Sequence, residues 1–480
     1  MQKPLLEELM KLSWRNKKFG LSGFKTKIFK NILALSIWQK ITIFSMLFPK
    51  ITLFLRVKAN KHFDTRIFDR DIARLAPDVP IIGQEGNFKR IAFLATEMID
   101  MGGHTKCLRD LAIAMFDCYE SCLFLTQIDA SYEHAPKAMK DISQYSSILG
   151  QNINLVRFNK KIYKLFIQIA EYNPKIIFSF IHPNDIAGAM ILSLIKTHTK
   201  SKILYCPHAS HYPNLGMSFA DLILEGMPVT AYITQNFRNI KKTHVLGILS
   251  KAIRECPIFF SEEIFAKRCD IGIKDSYQCT MSGGAAYKFF DTSGSEYFRM
   301  IKKLLERNLK VQHVILSEFN EEQQNIIQKI FNASETRERL LILPFSTEYE
   351  LIFKCADVFI DSFPISSALT QIDLMRLQVP SVVKINRENA FWSFHEYQKI
   401  DYPYMFEKVD DILKGVERLL LDKAECHRIV SENYLYYLHN YEGDTMKQRL
   451  CNIIEHADCL EQFYDRFDES IFYTIKGINI

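Results

Sequence analysis

Short apolar runs of strand length alternate with stretches of helical apolar spacing over most of the chain. The first is KRIAFLATEM, a basic flank entering an apolar run, followed by the glycine turn IDMGGHTKC and the helical pattern LRDLAIAMF. Strand, glycine turn and helix in that order open a parallel sheet, because parallel strands need a crossover between them. SCLFLTQ reads as the next strand, and KKIYKLFIQIAEY as a helix that stops at Asn173-Pro174, where proline bars continuation. KIIFSFI, DIAGAMILSLIKTH and KILYCPHA give strand, helix and strand, the last running into a loop rich in His and Pro. A second series starts at QCTMSGGAAYKFF, again a strand into a Gly-Gly turn. SEYFRMIKKLLERN continues it as a helix, and VQHVILSEF and LLILPFS as strands. TEYELIFKCA, DVFIDSFP, LTQIDLMRLQ and PSVVKI then give helix, strand, helix and strand.

The pattern predicts an α/β chain with two Rossmann-like, doubly wound domains facing each other across a cleft, preceded by a helical extension. The expected boundaries are residues 1–80 for the extension, 81–255 for the first domain and 256–480 for the second with its helical, aromatic tail. The break falls within AIRECPIFFSEEIFAKR. A length of 480 residues suits two cores better than one. A ligand is expected between the domains, at the carboxyl ends of their strands.

Residues 24–58 interleave ILALSIW, ITIFSMLF and ITLFL with Lys25, Lys27, Lys30, Lys40, Lys50, Arg56 and Lys58. Lys40 and Lys50 keep every apolar run below the roughly 18 residues that a spanning helix needs. Such a stretch either lies in the headgroup region of an anionic membrane or packs its apolar side on the main body, and periodicity alone does not separate the two. No secretory signal pattern opens the chain.

Composition narrows the function classes. Apolar residues make up 48% and charged residues 24%, which excludes wholesale disorder. The net charge of +6 is mild for this length, and no basic, aromatic-interleaved block outside the N-terminus marks a nucleic-acid face. Eleven Cys without a C-x-x-C pair argue against a disulfide framework or a zinc knuckle. A cytoplasmic chain with reduced thiols is expected, with a peripheral seat on the inner face of the plasma membrane if residues 24–58 bind lipid.

The most specific chemistry lies in ADVFIDSFPISSALTQIDLMRLQVPSVV. A strand enters a loop at Phe363-Pro364, and the small residues Ser366, Ser367 and Ala368 lead into a helix carrying Thr370 and Asp373. Small side chains let a diphosphate approach the amides at a helix start, where the dipole favours an anion, and an acid further along can reach a ribose hydroxyl. An ordinary N-cap by either serine reads equally well from the local pattern. Three other segments carry candidate groups: Gly102, Gly103 and His104 in MGGHTKCLRDLA, Gly283 and Lys288 in TMSGGAAYKFF, and His208 and His211 in CPHASHYPNLG.

These segments resemble glycosyltransferases of the two-domain B type, in particular bacterial capsule and lipopolysaccharide sugar transferases and bacterial relatives of O-linked N-acetylglucosamine transferase. Asp361, Phe363, Pro364, Thr370, Asp373 and Val379-Pro380 match the donor segment, whereas Ser367 and Ala368 stand in place of a Gly-Gly pair and Gln378 in place of a glycine. The resemblance implies that Lys288 contacts the donor diphosphate and that Asp373 binds its ribose. It implies acceptor-side or donor contacts for the Gly102, Gly103, His104 turn and for the loop of His208 and His211, where a histidine is a candidate base. It further implies a nucleotide-sugar substrate, UDP-linked, with no cofactor and no metal. The acceptor expected is a glycan, a lipid-linked glycan or a protein side chain, in surface polysaccharide biosynthesis. A polyol-phosphate transferase and a membrane-peripheral scaffold without catalysis are the other two readings of the same sequence.

Overall fold

The computed structural model describes residues 64–465, apart from 101, 155–156, 208–213, 248–257, 292–293, 333 and 386–401. The membrane-binding stretch inferred at residues 24–58, and His208 and His211, lie outside the described residues.

Two parallel sheets form the frame. The first holds seven strands: β1 (Asn87–Ala95), β2 (Glu120–Leu125), β3 (Ser147–Gly150), β4 (Pro174–Phe180), β5 (Lys202–Tyr205), β6 (Leu222–Glu225) and β7 (Thr243–Val245), in the order β3-β2-β1-β4-β5-β6-β7. The second holds six: β8 (Gln278–Gly283), β9 (Val311–Leu316), β10 (Leu340–Leu343), β11 (Val358–Ile360), β12 (Ser381–Lys384) and β13 (Met405–Phe406), in the order β10-β9-β8-β11-β12-β13. The two-sheet α/β architecture expected from the sequence is thus present. Strand order reverses direction between β1 and β4 in one sheet and between β8 and β11 in the other, which opens a crevice at each of those points.

The helices that matter for the site are α1 (Arg66–Leu75), α2 (Gly103–Met115), α3 (Phe158–Tyr172), α4 (Ile186–His198), α5 (Pro228–Asn236), α6 (Ala368–Arg376), α7 (Lys423–Asn440) and α8 (Gly443–Glu455). Covered on both faces by such helices, the strands read as unbroken apolar runs rather than as alternation; every residue of β4 is buried. Helix α4 is buried from Ile186 through Ile195, because helix α1 covers its outer side. Asn173, with φ +52°, ends α3 in the left-handed region, and its N–H returns to the Ile169 carbonyl before Pro174 starts β4.

The C-terminal helices do not all stay with the second sheet. Met446, Leu450, Ile453 and Ile454 of α8, with Ala457 and Leu460 beyond it, share one apolar core with Ile91, Phe93, Leu111 and Leu222 of the first. Lys447 to Asp117 (2.6 Å) and Asp458 to Lys175 (2.8 Å) pin the same segment there. The tail assigned by chain order to the second domain therefore packs, from residue 443 onward, on the first.

A separate seam joins the halves. Met227 and Ile233 from the first, Ile372 and Met375 from α6, and Tyr437 and Tyr441 from the end of α7 form one buried cluster. Helix α6 is therefore at once the helix that follows the β11 loop and the helix that touches the opposite domain.

Candidate functional site

The crevice of the second sheet is organised by Asp361, at the end of β11. The chain turns sharply there through a cis Phe363-Pro364 bond, and Asp361 is buried beneath the turn. Its Oδ1 accepts from the amides of Ser362 (2.9 Å) and Ser367 (3.0 Å), and its Oδ2 from the Ser366 hydroxyl. Burial pushes its carboxyl above the usual range, against the pull of these donors. Ser367 in turn donates to the Gly283 carbonyl at 3.1 Å, which ties the loop to the end of β8.

Lys288 sits in a short turn after β8 and folds over this loop. Its Nζ lies 3.2 Å from the Ser366 carbonyl and 3.4 Å from the Ser367 hydroxyl. Burial holds its ammonium below the usual lysine range, with the charge of Asp361 opposing. Gly284 permits this packing, since a Cβ there would stand 2.8 Å from Ser367 Oγ. The structure therefore brings Gly283, Lys288, Ser366 and Ser367 together at the start of α6, with Ala368 and Thr370 on its first turn. The Ser367 amide is already taken by Asp361, so an anion at this helix would meet the amides that follow it.

Asp373, two turns along, is not an isolated acid. Lys106 of α2 reaches it across the seam, with Nζ 3.1 Å from Oδ1 and 2.9 Å from Oδ2. Arg376 adds a bond to Oδ1 at 3.3 Å and Tyr349 one to Oδ2 at 3.4 Å. Burial opposes the charge on Lys106, but the Asp373 carboxylate outweighs it and holds the ammonium above its usual range.

On the opposite side, Gly102 and Gly103 form the tight turn that starts α2, and the Gly102 amide donates to the Ile99 carbonyl at 2.7 Å. A Cβ on Gly103 would lie 2.7 Å from Leu369 Cδ1, so the starts of α2 and α6 meet closely here and a larger residue would turn the Leu369 side chain aside. The His104 ring is turned inward, with Nε2 donating to the Glu97 carbonyl at 3.0 Å, and burial lowers its pKa, which keeps the ring neutral. A loop-bracing contact of this kind occupies one of the two nitrogens that base chemistry would use.

Four further residues shape the first crevice. Asp185 accepts from the hydroxyls of Thr96 (2.7 Å) and Thr126 (2.8 Å) and from the Gly188 amide (2.8 Å), where it caps α4. Thr96 also accepts from the His182 amide at 2.7 Å, so one carboxylate gathers the ends of β1, β2 and β4 and sets out His182 at the crevice mouth. None of these four was singled out in the sequence. Asp185 carried a helix-start signal, Asp before an apolar run, and Lys106 stood inside the glycine-turn motif.

No protein-family model and no curated protein matches the sequence. Solved structures do match in fold. Anabaena HepE, solved in complex with UDP and glucose, superposes with TM-score 0.57 at 13% identity over 77% of this chain and all of its own. A glycosyltransferase from Rickettsia africae gives TM-score 0.60 at 10% identity, over 77% of this chain and 99% of its own. The O-GlcNAc transferase of Thermobaculum terrenum gives TM-score 0.56 at 11% identity, over 84% of this chain and 76% of its own. At such identities the likeness is one of fold, and it bears out the two-domain B architecture read from the sequence.

Proposed function

We propose that this protein transfers a sugar from a nucleoside diphosphate sugar, with UDP as the nucleotide. The observation that supports this reading most is the placement of Lys288 against Ser366 and Ser367 at the start of α6, in a fold shared with HepE, which has been solved with UDP and glucose. Breaking the bond from the anomeric carbon to the β-phosphate leaves one further negative charge on a diphosphate that already carries two. A desolvated lysine and a helix dipole, both fixed beforehand, stabilise that charge as it develops. Asp373 serves the ribose, and the turn of Gly102 and Gly103 with the Asp185-centred crevice presents the acceptor hydroxyl.

The acceptor proposed is a glycan or lipid-linked glycan of a surface polysaccharide. The basic, apolar stretch at residues 24–58 supports that choice, because it suits an anionic membrane where such acceptors lie. No helix among the described residues is long and apolar enough to cross a membrane.

A panel of nucleotide sugars, read by thermal shift and by released nucleotide, tests the reading. Stabilisation by UDP and release of UDP from one UDP-sugar are expected. Release of a nucleoside monophosphate would point instead to polyol-phosphate transfer, and binding of no nucleotide would leave a scaffold.

A further inference from the structure

Asp373 holds more hydrogen-bond donors than a ligand-ready carboxylate should. A carboxylate offers about four lone-pair positions. Lys106 takes one on each oxygen, Arg376 one on Oδ1 and Tyr349 one on Oδ2, and the side chain is only 6% exposed. A ribose hydroxyl that donates to Asp373 therefore has to replace one of these partners.

The three partners are not equally replaceable. Arg376, the last residue of α6, is buried and is also bonded to Glu350 at 2.5 Å, so moving it would break both ion pairs inside the protein. Tyr349 has one hydroxyl proton, shared between Asp373 Oδ2 (3.4 Å) and Glu350 Oε1 (3.3 Å), so it can free one lone pair at most, and its ring packs edge-on against Phe353 in its own helix. Lys106 is 21% exposed, belongs to the other half of the molecule and carries its charge on a four-carbon stem. It is also the partner that contributes two of the four bonds.

We propose that Lys106 gates the ribose subsite: its ammonium closes the Asp373 carboxylate when no donor is bound, and yields that carboxylate to the ribose hydroxyls when one is. This rests on the sugar-nucleotide reading given above. The gate lowers apparent donor affinity by the fraction of molecules in which it is shut.

The test is calorimetric titration of the full chain with UDP and with 2′,3′-dideoxy-UDP, for the parent protein, Lys106→Met and Lys106→Arg. Lys106→Met should bind UDP about tenfold more tightly, since Arg376 still balances Asp373 and the hydroxyls meet no competitor. The gain should vanish with the dideoxy nucleotide, and Lys106→Arg should restore parental binding. A purely structural lysine would shift both nucleotides alike. Lys106→Gln provides a second neutral variant if the methionine form fails to fold. Weaker or unchanged UDP binding by the neutral variant, with the parent still binding UDP, would overturn the gate alone and make Lys106 a donor ligand or a bystander. If parent and variants all ignore UDP, the sugar-nucleotide reading falls and the gate falls with it.

Discussion

The two crevices use the same device to different ends. In each, one aspartate collects donors at the point where strand order reverses: Asp185 in the first sheet, Asp361 in the second. Asp185 is part-buried and binds two threonines and a helix amide. It joins three strand ends that would otherwise be separate loops. Asp361 is fully buried and serves a single loop, with the ammonium of Lys288 laid over that loop. One crevice is a part-buried junction of strand ends, and the other is a buried loop with a cation on top. A buried, pre-charged loop suits an anion whose charge grows during the reaction.

The sharpest way to break this contrast is kinetic. Lys288→Ala should lower kcat/KM for the donor by about a hundredfold or more, the loss typical of removing one preorganised charge from a developing anion. Steady-state rates at varied donor concentration check it, and rates near those of the parent would leave the second crevice without its distinguishing cation.

Next in size is a paired stability measurement. Asp361→Ala leaves the Ser362, Ser366 and Ser367 donors without this acceptor inside the core and should cost about 3 kcal/mol, whereas Asp185→Ala, closer to water, should cost about 2 kcal/mol. Denaturant melts of the two variants check the order, and the reverse order would contradict the contrast in burial.

A third prediction concerns the ground beneath the second crevice. His313 is buried in β9, where its ring meets the hydroxyls of Thr280 (2.9 Å) and Tyr297 (2.9 Å), and Tyr297 continues through Ser282 to the Ile360 carbonyl beside Asp361. Burial drives the pKa of His313 down to about 3. The folded protein thus refuses a proton that the unfolded chain accepts below about pH 6.5. Stability is unaffected above that pH and falls as the pH drops from there toward 3, by up to about 1.4 kcal/mol per pH unit. His313→Gln should lose this part of the acid slope in melts at pH 4 to 7, measured against the parent so that the buried carboxylates cancel. A parallel slope would show that His313 protonates in the fold.

The smallest effect is expected at the far end of α6. Gln378 holds φ +56°, the left-handed region where a side chain is strained and glycine is not. Gln378→Gly should raise the stability by about 1 kcal/mol with donor kinetics unchanged. A lower melting temperature would mean that the Gln378 side chain makes contacts worth more than the strain.

Much of this frame was legible in the sequence because parallel strands buried on both faces leave long apolar runs. KIIFSFI and VQHVILSEF could be read directly. The edge strand β3, with only part-buried and exposed residues, and the two-residue β13 left no comparable trace. In the site, the association of Lys288 with Ser366 and Ser367 was readable from two motifs that the family likeness had already paired. The bond from Lys106 to Asp373 was not, since it joins residues 267 positions apart through a seam that no local pattern encodes. The same holds for the tail: an amphipathic helix announces that one face will be covered, and its spacing does not name the cover.

That tail sets a limit on how the molecule can be taken apart. Because residues 446–460 complete the apolar core of the first sheet, that half is built from two stretches of chain separated by the whole of the other half. Cutting the gene between the sheets would yield a first fragment with its hydrophobic interior open to water, and a second carrying an orphaned plug. Supplied together, the fragments should associate through that plug. A ribosome, likewise, cannot finish the first half until residues 446–460 have left the exit tunnel.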